Sequence, residues 1–139
     1  MTVETTLANP ILDLEKPHVD ERGDIQPLVS FPQAKIGSAV MITSKKGTVR
    51  ANHYHKEDWH YCYLVYGAID YYERPINSDE APTITQIKAG DVFYTPPLLE
   101  HAMVFTEDSA FLTLGGGTRS QEDYENDLVR VNLVDPKNV

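Results

Sequence analysis

The sequence has few cysteines, few basic residues and a single tryptophan. One of its 139 residues is a cysteine, Cys62, so the chain forms no internal disulfide bond and does not resemble a disulfide-rich secreted scaffold. Lysines and arginines number 12 against 21 aspartates and glutamates, which gives a formal net charge of −9. Because nucleic-acid-binding surfaces are basic and clustered, this composition argues against a nucleic-acid partner.

Long hydrophobic runs are also missing. No apolar stretch reaches the roughly 20 residues that a membrane-spanning helix needs, and residues 1–10 lack the basic start and apolar core of a secretory signal. We therefore expect no membrane partner and a cytoplasmic location. No long segment has helical periodicity, although residues 121–127 are compatible with a short helical turn.

The chain instead contains short segments rich in Val, Ile, Thr, Tyr and Phe, separated by Gly, Pro, Asn and Asp. These residue types favour half-buried strands between turns. The predicted strands are residues 38–43, 49–55, 59–66, 68–74, 83–88, 92–95, 101–105 and 110–114. About eight short strands in a chain of this length predict a single all-β domain, 1–139, folded as a barrel or sandwich. Residues 1–16 are interpreted as an N-terminal arm, 38–114 as the barrel core and 115–139 as a C-terminal tail.

Four of the five histidines have a spacing that favours convergence. His53 and His55 are two apart in a predicted strand, so their side chains share one face. His60 and His101 lie at separations that a turn and a returning strand would close. Neutral imidazole is a common ligand of Zn, Fe and Ni, so the four histidines predict a site for a divalent transition metal (Zn, Fe, Mn or Ni).

The same residues belong to a longer pattern. Gly47, His53, His55, His60 and Gly67 are separated by five, one, four and six residues. This spacing resembles the first motif of the cupin family, with His60 where most members carry Glu.

A second pattern follows later in the chain. Gly90, Pro96 and His101 resemble the second cupin motif, although Leu98 replaces its usual Gly and Phe105 its usual Asn. The resemblance implies a cupin fold, a double-stranded β-helix or jelly-roll barrel.

Two further segments and the tail narrow the resemblance. The turn 20–23 (Asp-Glu-Arg-Gly), the strand 50–56 (Arg-Ala-Asn-His-Tyr-His-Lys) and the tail 120–124 (Ser-Gln-Glu-Asp-Tyr) are similar to segments of cupins that modify nucleotide sugars. These include dTDP-4-keto-6-deoxyglucose ketoisomerases, dTDP-4-dehydrorhamnose 3,5-epimerases and the zinc-bearing cupin domain of a capsular-polysaccharide synthesis enzyme. Ala51 stands where the related strand usually has Gly.

This resemblance leaves two roles open for the histidines. As in the capsular enzyme, His53, His55, His60 and His101 would bind the metal. As in the ketoisomerases and epimerases, His53 or His55 would be the general base that removes a proton next to a ketone. One nitrogen cannot do both, because a metal-bound nitrogen has no free lone pair.

Two arginines are candidate substrate contacts. Guanidinium groups suit phosphate oxygens, so Arg22 and Arg50 are predicted to hold the diphosphate of a nucleotide diphosphate sugar. Arg50 lies three residues before His53, which places it on the opposite strand face unless the strand twists or bulges.

The predicted function is that of a metal-binding isomerase or epimerase of a nucleotide-linked keto-sugar, acting in polysaccharide or deoxysugar biosynthesis. An iron-dependent dioxygenase and a non-enzymatic cupin that binds a small ligand are the alternatives, because one fold supports many functions. The polar arm and the strand edges of a small barrel predict a homodimer, which the sugar-modifying relatives also form.

Overall fold

Two antiparallel sheets and a small hairpin make up most of the protein. The computed structural model describes residues 9–30, 35–117 and 120–139. The strands are β1 (His18–Asp20), β2 (Gly23–Ile25), β3 (Ser38–Ser44), β4 (Val49–His55), β5 (His60–Tyr66), β6 (Ala68–Pro75), β7 (Thr83–Lys88), β8 (Val92–Thr95), β9 (Leu99–Phe105), β10 (Ser109–Gly115) and β11 (Leu128–Arg130). One α-helix, α1 (Gln121–Asp127), and a 3₁₀ turn (Pro136–Asn138) follow β10 and β11.

The four-stranded sheet has the order β3-β10-β5-β8, and the five-stranded sheet has the order β11-β4-β9-β6-β7. Alternate residues of each strand point between the two sheets, as the pleat requires. The all-β fold class predicted from the sequence is confirmed.

The predicted strands coincide with observed ones. The bounds of β4, β7 and β8 are those predicted, and so are those of α1. The other five predicted strands differ from the observed ones by one or two residues at an end. The β1–β2 hairpin, which surrounds the predicted turn at 20–24, and the short strand β11 were not anticipated, because three-residue strands are too short to show alternation.

The space between the sheets is apolar toward one end of the barrel. The inward positions of both sheets meet in one buried cluster, which consists of Cys62, Leu64, Ile69, Tyr71, Ile87, Phe93, Met103, Phe105 and Phe111. The histidines lie beyond this cluster, on the same inward faces. Burying the apolar cluster stabilises the fold, and the cluster packs directly below the polar end of the barrel.

Strand β4 carries an irregularity that changes which side chains share a face. Its register with β9 shifts between Ala51 and His53, which inserts one extra residue into β4. Ala51 and Asn52 both have positive φ, 71° and 54°. A β-bulge of this kind turns the strand, and the inserted residue places Arg50 and His53 on the same face.

Both ends of the described chain pack on the sheets. Residues 1–8 of the predicted arm lie outside the described residues. Later in the arm, Ile11 forms a β-bridge with Phe93 of β8, and the Leu12 amide donates to the Val92 carbonyl at 2.8 Å. After β10, α1 leads into β11, which pairs with the outer edge of β4. None of the helices formed by the described residues has the length and apolar character needed to cross a bilayer.

Candidate functional site

Three histidines of the five-stranded sheet face one another at the polar end of the barrel. His53 and His55 extend from β4, and His101 extends from β9 directly opposite His53. The ring centroids of His53 lie 4.7 Å from His55 and 4.8 Å from His101. One ring nitrogen from each residue lies within 4.8 Å of the other two. We call these residues the three-histidine cluster.

Hydrogen bonds fix the orientation of two rings of this cluster. Nδ1 of His55 lies 3.0 Å from Oδ2 of Asp127, the last residue of α1. Nδ1 of His101 lies 3.1 Å from the carbonyl oxygen of Leu99. Because both partners are acceptors, each Nδ1 carries the proton and each Nε2 keeps its lone pair.

Burial and mutual repulsion keep the imidazoles of His53 and His101 neutral. Burial, followed by the neighbouring histidines, lowers the pKa of His53 to about 2. Burial also lowers the pKa of His101 to about 3, against the opposing effect of its bond to Leu99. Neutral imidazole is the form that binds a metal or accepts a proton, so His53 and His101 are available for either chemistry over the physiological pH range.

His60 reaches the same region from the four-stranded sheet. Its ring centroid lies 4.7 Å from that of His55, but its Nε2 lies 3.2 Å from Oδ2 of Asp58. A second possible metal group therefore consists of His55, Asp58 and His60. A Cβ on Gly115 of β10 would come within 2.8 Å of the His60 ring, so glycine at this position leaves space for that ring.

A cavity of about 130 Å³ joins the four histidines to Arg50. The bulge in β4 places Arg50 at the edge of this cavity. Its guanidinium bonds to β3, where Nη2 donates to the Thr43 carbonyl at 2.9 Å and Nε donates to Oγ of Ser44 at 3.2 Å. The guanidinium thus bridges β4 and β3 at the rim. Tyr124 of α1 also lines the cavity, with its ring centroid 5.7 Å from that of His55.

Arg22, the other predicted substrate contact, is not among the residues that line the cavity. Its side chain is 82% exposed and bonds to Oδ2 of Asp20 at 2.7 Å within the β1–β2 hairpin. Of the two arginines, the structure brings only Arg50 to the histidines.

A buried carboxyl group lies behind the cluster. Glu73 of β6 is opposite His101 in the sheet register and is 3% exposed. Burial raises its pKa to about 7. Tyr71, two residues earlier on the same face, is fully buried, and burial together with Glu73 raises the pKa of its hydroxyl well above the usual value.

The sequence analysis did not identify four residues of this site: Asp58, Glu73, Tyr124 as a cavity residue, and Asp127. Asp127 is 72 residues from His55, and no local pattern connects the two. Asp58 lies in a charged turn, which is usually a solvated surface. An acidic residue two positions before a clustered histidine was the one local signal available.

No family model and no curated protein matches this sequence. Solved structures do match. A double mutant of the 3,4-ketoisomerase QdtA from Thermoanaerobacterium thermosaccharolyticum, in complex with TDP, has a TM-score of 0.68 and 22% identity, with 89% of each chain covered. ChmJ, a 3′-monoepimerase from Streptomyces bikiniensis in complex with dTDP-quinovose, has a TM-score of 0.69 and 21% identity over 90% of this chain and 70% of that one.

The capsular polysaccharide assembling protein CapF from Staphylococcus aureus has a TM-score of 0.61 and 20% identity. The match covers 93% of this chain and 36% of CapF. Likenesses at these identities establish the fold.

The chain has the cupin fold. Its structural neighbours are of the kinds that the sequence resemblance named: ketoisomerases, an epimerase and a capsular-polysaccharide protein.

Two backbone positions correspond to the departures of this sequence from the cupin motifs. Ala51 and Leu98, which stand where the motifs usually have Gly, have φ values of 71° and 60°. Both residues therefore have the left-handed conformation that glycine adopts readily, although a side chain destabilises it by about 1 kcal/mol at each position. At Leu98 the geometry serves the site, because its amide donates to the His55 carbonyl at 2.8 Å.

Proposed function

We propose that this cupin is an isomerase or epimerase of a nucleotide-linked keto-sugar in deoxysugar or polysaccharide biosynthesis. The observation that carries the proposal is the pair formed by His55 and Asp127 at the cavity. The carboxylate holds the Nδ1 proton, so Nε2 is the basic atom on the cavity side. The neighbours crystallised with TDP or dTDP-quinovose support the substrate class.

The proposed reaction begins with removal of a proton from the carbon next to a ketone. Nε2 of His55 accepts the proton from the carbon beside the carbonyl, and the electron pair of the broken C–H bond passes into an enolate. Asp127 stabilises the imidazolium that forms. For isomerisation, the enolate oxygen takes the proton of the adjacent hydroxyl, and the His55 imidazolium returns its proton to the former carbonyl carbon, so the ketone moves to the neighbouring carbon. For epimerisation, a proton from solvent reaches the opposite face of the original carbon, and the His55 imidazolium releases its proton to solvent.

Electrostatics favour one side of the rim for the diphosphate. A surface groove shares Tyr124 with the cavity, but four of its residues are acidic: Glu57, Asp58, Asp123 and Asp127. Carboxylates repel a diphosphate, whereas the Arg50 guanidinium attracts it. We therefore propose that the diphosphate lies on the Arg50 side and that the sugar reaches the histidines from there.

The three-histidine cluster also fits a divalent transition metal such as Zn, Fe, Mn or Ni. Three imidazoles converge, and two of them donate Nδ1 to an acceptor as metal-bound histidines commonly do. His53, His55 and His101 would hold the ion, with His60 as a possible fourth ligand. A bound metal would supply a Lewis acid that stabilises negative charge on the sugar carbonyl oxygen.

Metal binding and proton transfer compete for Nε2 of His55. An ion bound at Nε2 of His55 would leave that nitrogen with no lone pair for the proton. Metal analysis of protein purified without chelator decides between these arrangements. A near-stoichiometric ion assigns the cluster to metal binding, whereas activity of metal-free protein assigns His55 to proton transfer.

The function is tested with dTDP-4-keto-6-deoxyglucose in deuterated water. We expect isomerisation or epimerisation with deuterium incorporated at the carbon next to the ketone, and saturable binding of TDP measured by calorimetry. His55→Ala is the loss-of-function variant, and Tyr54→Phe, which alters the adjacent outward residue, is its control.

Consumption of oxygen without isomerised product would replace the proposal with the dioxygenase alternative. Binding of TDP with no turnover of any keto-sugar tested would favour a binding protein.

We also propose that the protein is a homodimer. Strand β3 is a terminal strand of its sheet, and its seven residues include no charge and no proline. Such an edge is open to pairing with another strand. Light scattering is expected to give twice the chain mass of 15.7 kDa, and the mass of a single chain at micromolar concentration would contradict the proposal.

A further inference from the structure

The bulge before His53 is an unusual piece of backbone. Ala51 and Asn52 adopt the left-handed conformation in succession, and neither is glycine. Alanine is disfavoured there and asparagine is tolerated. Two such residues in one strand persist only where surrounding contacts hold them.

The contacts that hold Asn52 come from the end of the chain. Its Nδ2 donates to the Val134 carbonyl at 2.8 Å, and its Oδ1 accepts from the Val134 amide at 3.0 Å. The Asn52 carbonyl accepts from the Val131 amide at 2.9 Å. One asparagine thus makes three hydrogen bonds to residues 131–134, which we call the tail segment.

The tail segment is only partly buried. Val131, Leu133 and Val134 are half-buried, and Asn132 is exposed. None of the four belongs to the apolar core cluster. The hydrogen bonds to Asn52 attach the tail segment directly to β4.

The bulge determines the direction of the site residues. Because it adds one residue between Arg50 and His53, both face the cavity. A regular strand would turn one of them outward. We propose that Asn52 is a positioning residue, whose side-chain clamp on Val134 holds the bulge that aims His53 at the cavity. The catalytic consequence of this inference rests on the proposed function, whereas its structural part does not.

The clamp itself is tested by NMR on the full-length protein. In Asn52→Gly the backbone suits the left-handed conformation but the side-chain bonds are gone. We expect the Val134 amide to exchange at least tenfold faster with solvent, and the ring ¹⁵N and ¹³C signals of His53 to shift or broaden. Asn77→Gly is the matched control, because Asn77 is an exposed asparagine with a φ of 62° outside the site. It should leave the signals of His53 and Val134 unchanged.

A second variant removes the other partner of the clamp. Val134→Pro deletes the amide that donates to Oδ1 of Asn52 and leaves β4 itself unaltered. It should reproduce the shift of the His53 signals. This variant also decides the question if Asn52→Gly does not fold.

Kinetics separate positioning from general stability. In an active enzyme, misplacing His53 should lower kcat about tenfold or more with little change in KM, while the melting temperature of Val134→Pro stays close to that of the parent. If the Val134 amide loses protection but the His53 signals and kcat do not change, the clamp only anchors the tail and the inference is wrong. If the parent turns over no sugar, the proposed function fails, and the NMR result still decides the role of Asn52.

Discussion

The two sides of the cavity each present a histidine next to an aspartate, but the two pairs are built differently. On the five-stranded side, Asp127 contacts Nδ1 of His55. On the four-stranded side, Asp58 approaches Nε2 of His60. The first arrangement directs Nε2 toward two other imidazoles, whereas the second directs Nε2 toward the carboxylate.

The difference shows that a histidine–aspartate contact does not by itself define a reactive group. The nitrogen that the carboxylate occupies decides which one remains for substrate or metal. Asp127 also accepts the amide hydrogens of Glu57 and Asp58, so it is held firmly while it orients His55. We therefore assign the chemistry to the five-stranded side.

We expect the largest effect on kcat from removing one of the two imidazoles. We expect His55→Ala to lower kcat about a thousandfold, as loss of a general base commonly does, and His60→Ala to lower it about tenfold. Steady-state kinetics on the same keto-sugar measures both. Equal losses would show that the two sides contribute alike.

Metal affinity sharpens the same comparison. The double variant His53→Ala/His101→Ala should lose at least a hundredfold in affinity for Zn²⁺, because it removes two of the three clustered imidazoles. His60→Ala should lose less than tenfold. Competition with a chromophoric chelator gives both values, and undiminished Zn²⁺ binding in the double variant would place any metal elsewhere.

The aspartates provide the next contrast. Asp127→Asn presents an amide NH₂ to Nδ1 of His55 and so favours the tautomer with the proton on Nε2. We expect kcat to fall 10- to 100-fold. Asp58→Asn should cost less than Asp127→Asn in the same assay. The reverse order would transfer the chemistry to His60.

Arg50 is expected to act mainly on substrate binding. Arg50→Ala should raise KM about tenfold with a smaller effect on kcat, because a diphosphate contact is felt equally before and during the reaction. Lys88→Ala removes an exposed positive charge outside the site and is the control. A comparable rise in KM for Arg22→Ala would support the sequence prediction that the hairpin arginine also contacts substrate.

The smallest effect concerns Glu73 and stability. Its pKa is about 7 in the folded protein against 4.5 for an unperturbed glutamate. Between these values the unfolded chain has released the proton that the folded protein retains, so stability falls as pH rises from 4.5 to 7. Glu73→Gln should remove this pH-dependent loss. Relative to the parent protein, the variant should therefore gain about 2 kcal/mol in free energy of unfolding between pH 4.5 and pH 8. Urea unfolding at the two pH values measures it, and an effect independent of pH would contradict the assignment.

Much of the fold follows from sequence patterns that act locally. Alternation and turn residues predicted β4 and β8 with their observed bounds. The motif spacing anticipated that His53, His55 and His101 would meet. Each of these predictions depends on one strand and its turns.

The features that alternation could not predict depend on two distant segments. Simple alternation along a strand would place Arg50 and His53 on opposite faces, because they are three residues apart. The bulge in β4 brings them to the same face. The bulge is specified by Asn52 together with Val134, 82 residues later. The partner of His55 is likewise specified by the position of α1. Such pairings arise from tertiary packing rather than from any local pattern.

The long sequence separation of these pairs has a consequence for folding kinetics. The bonds from His55 to Asp127 and from Asn52 to Val134 close loops of 72 and 82 residues. Closing a loop of this length costs conformational entropy before the contact provides any stabilisation, so such contacts form slowly. During refolding, the barrel strands should gain protection from exchange before the amides of residues 127–134. The histidines would then be assembled early, and the site would become competent only in the last phase.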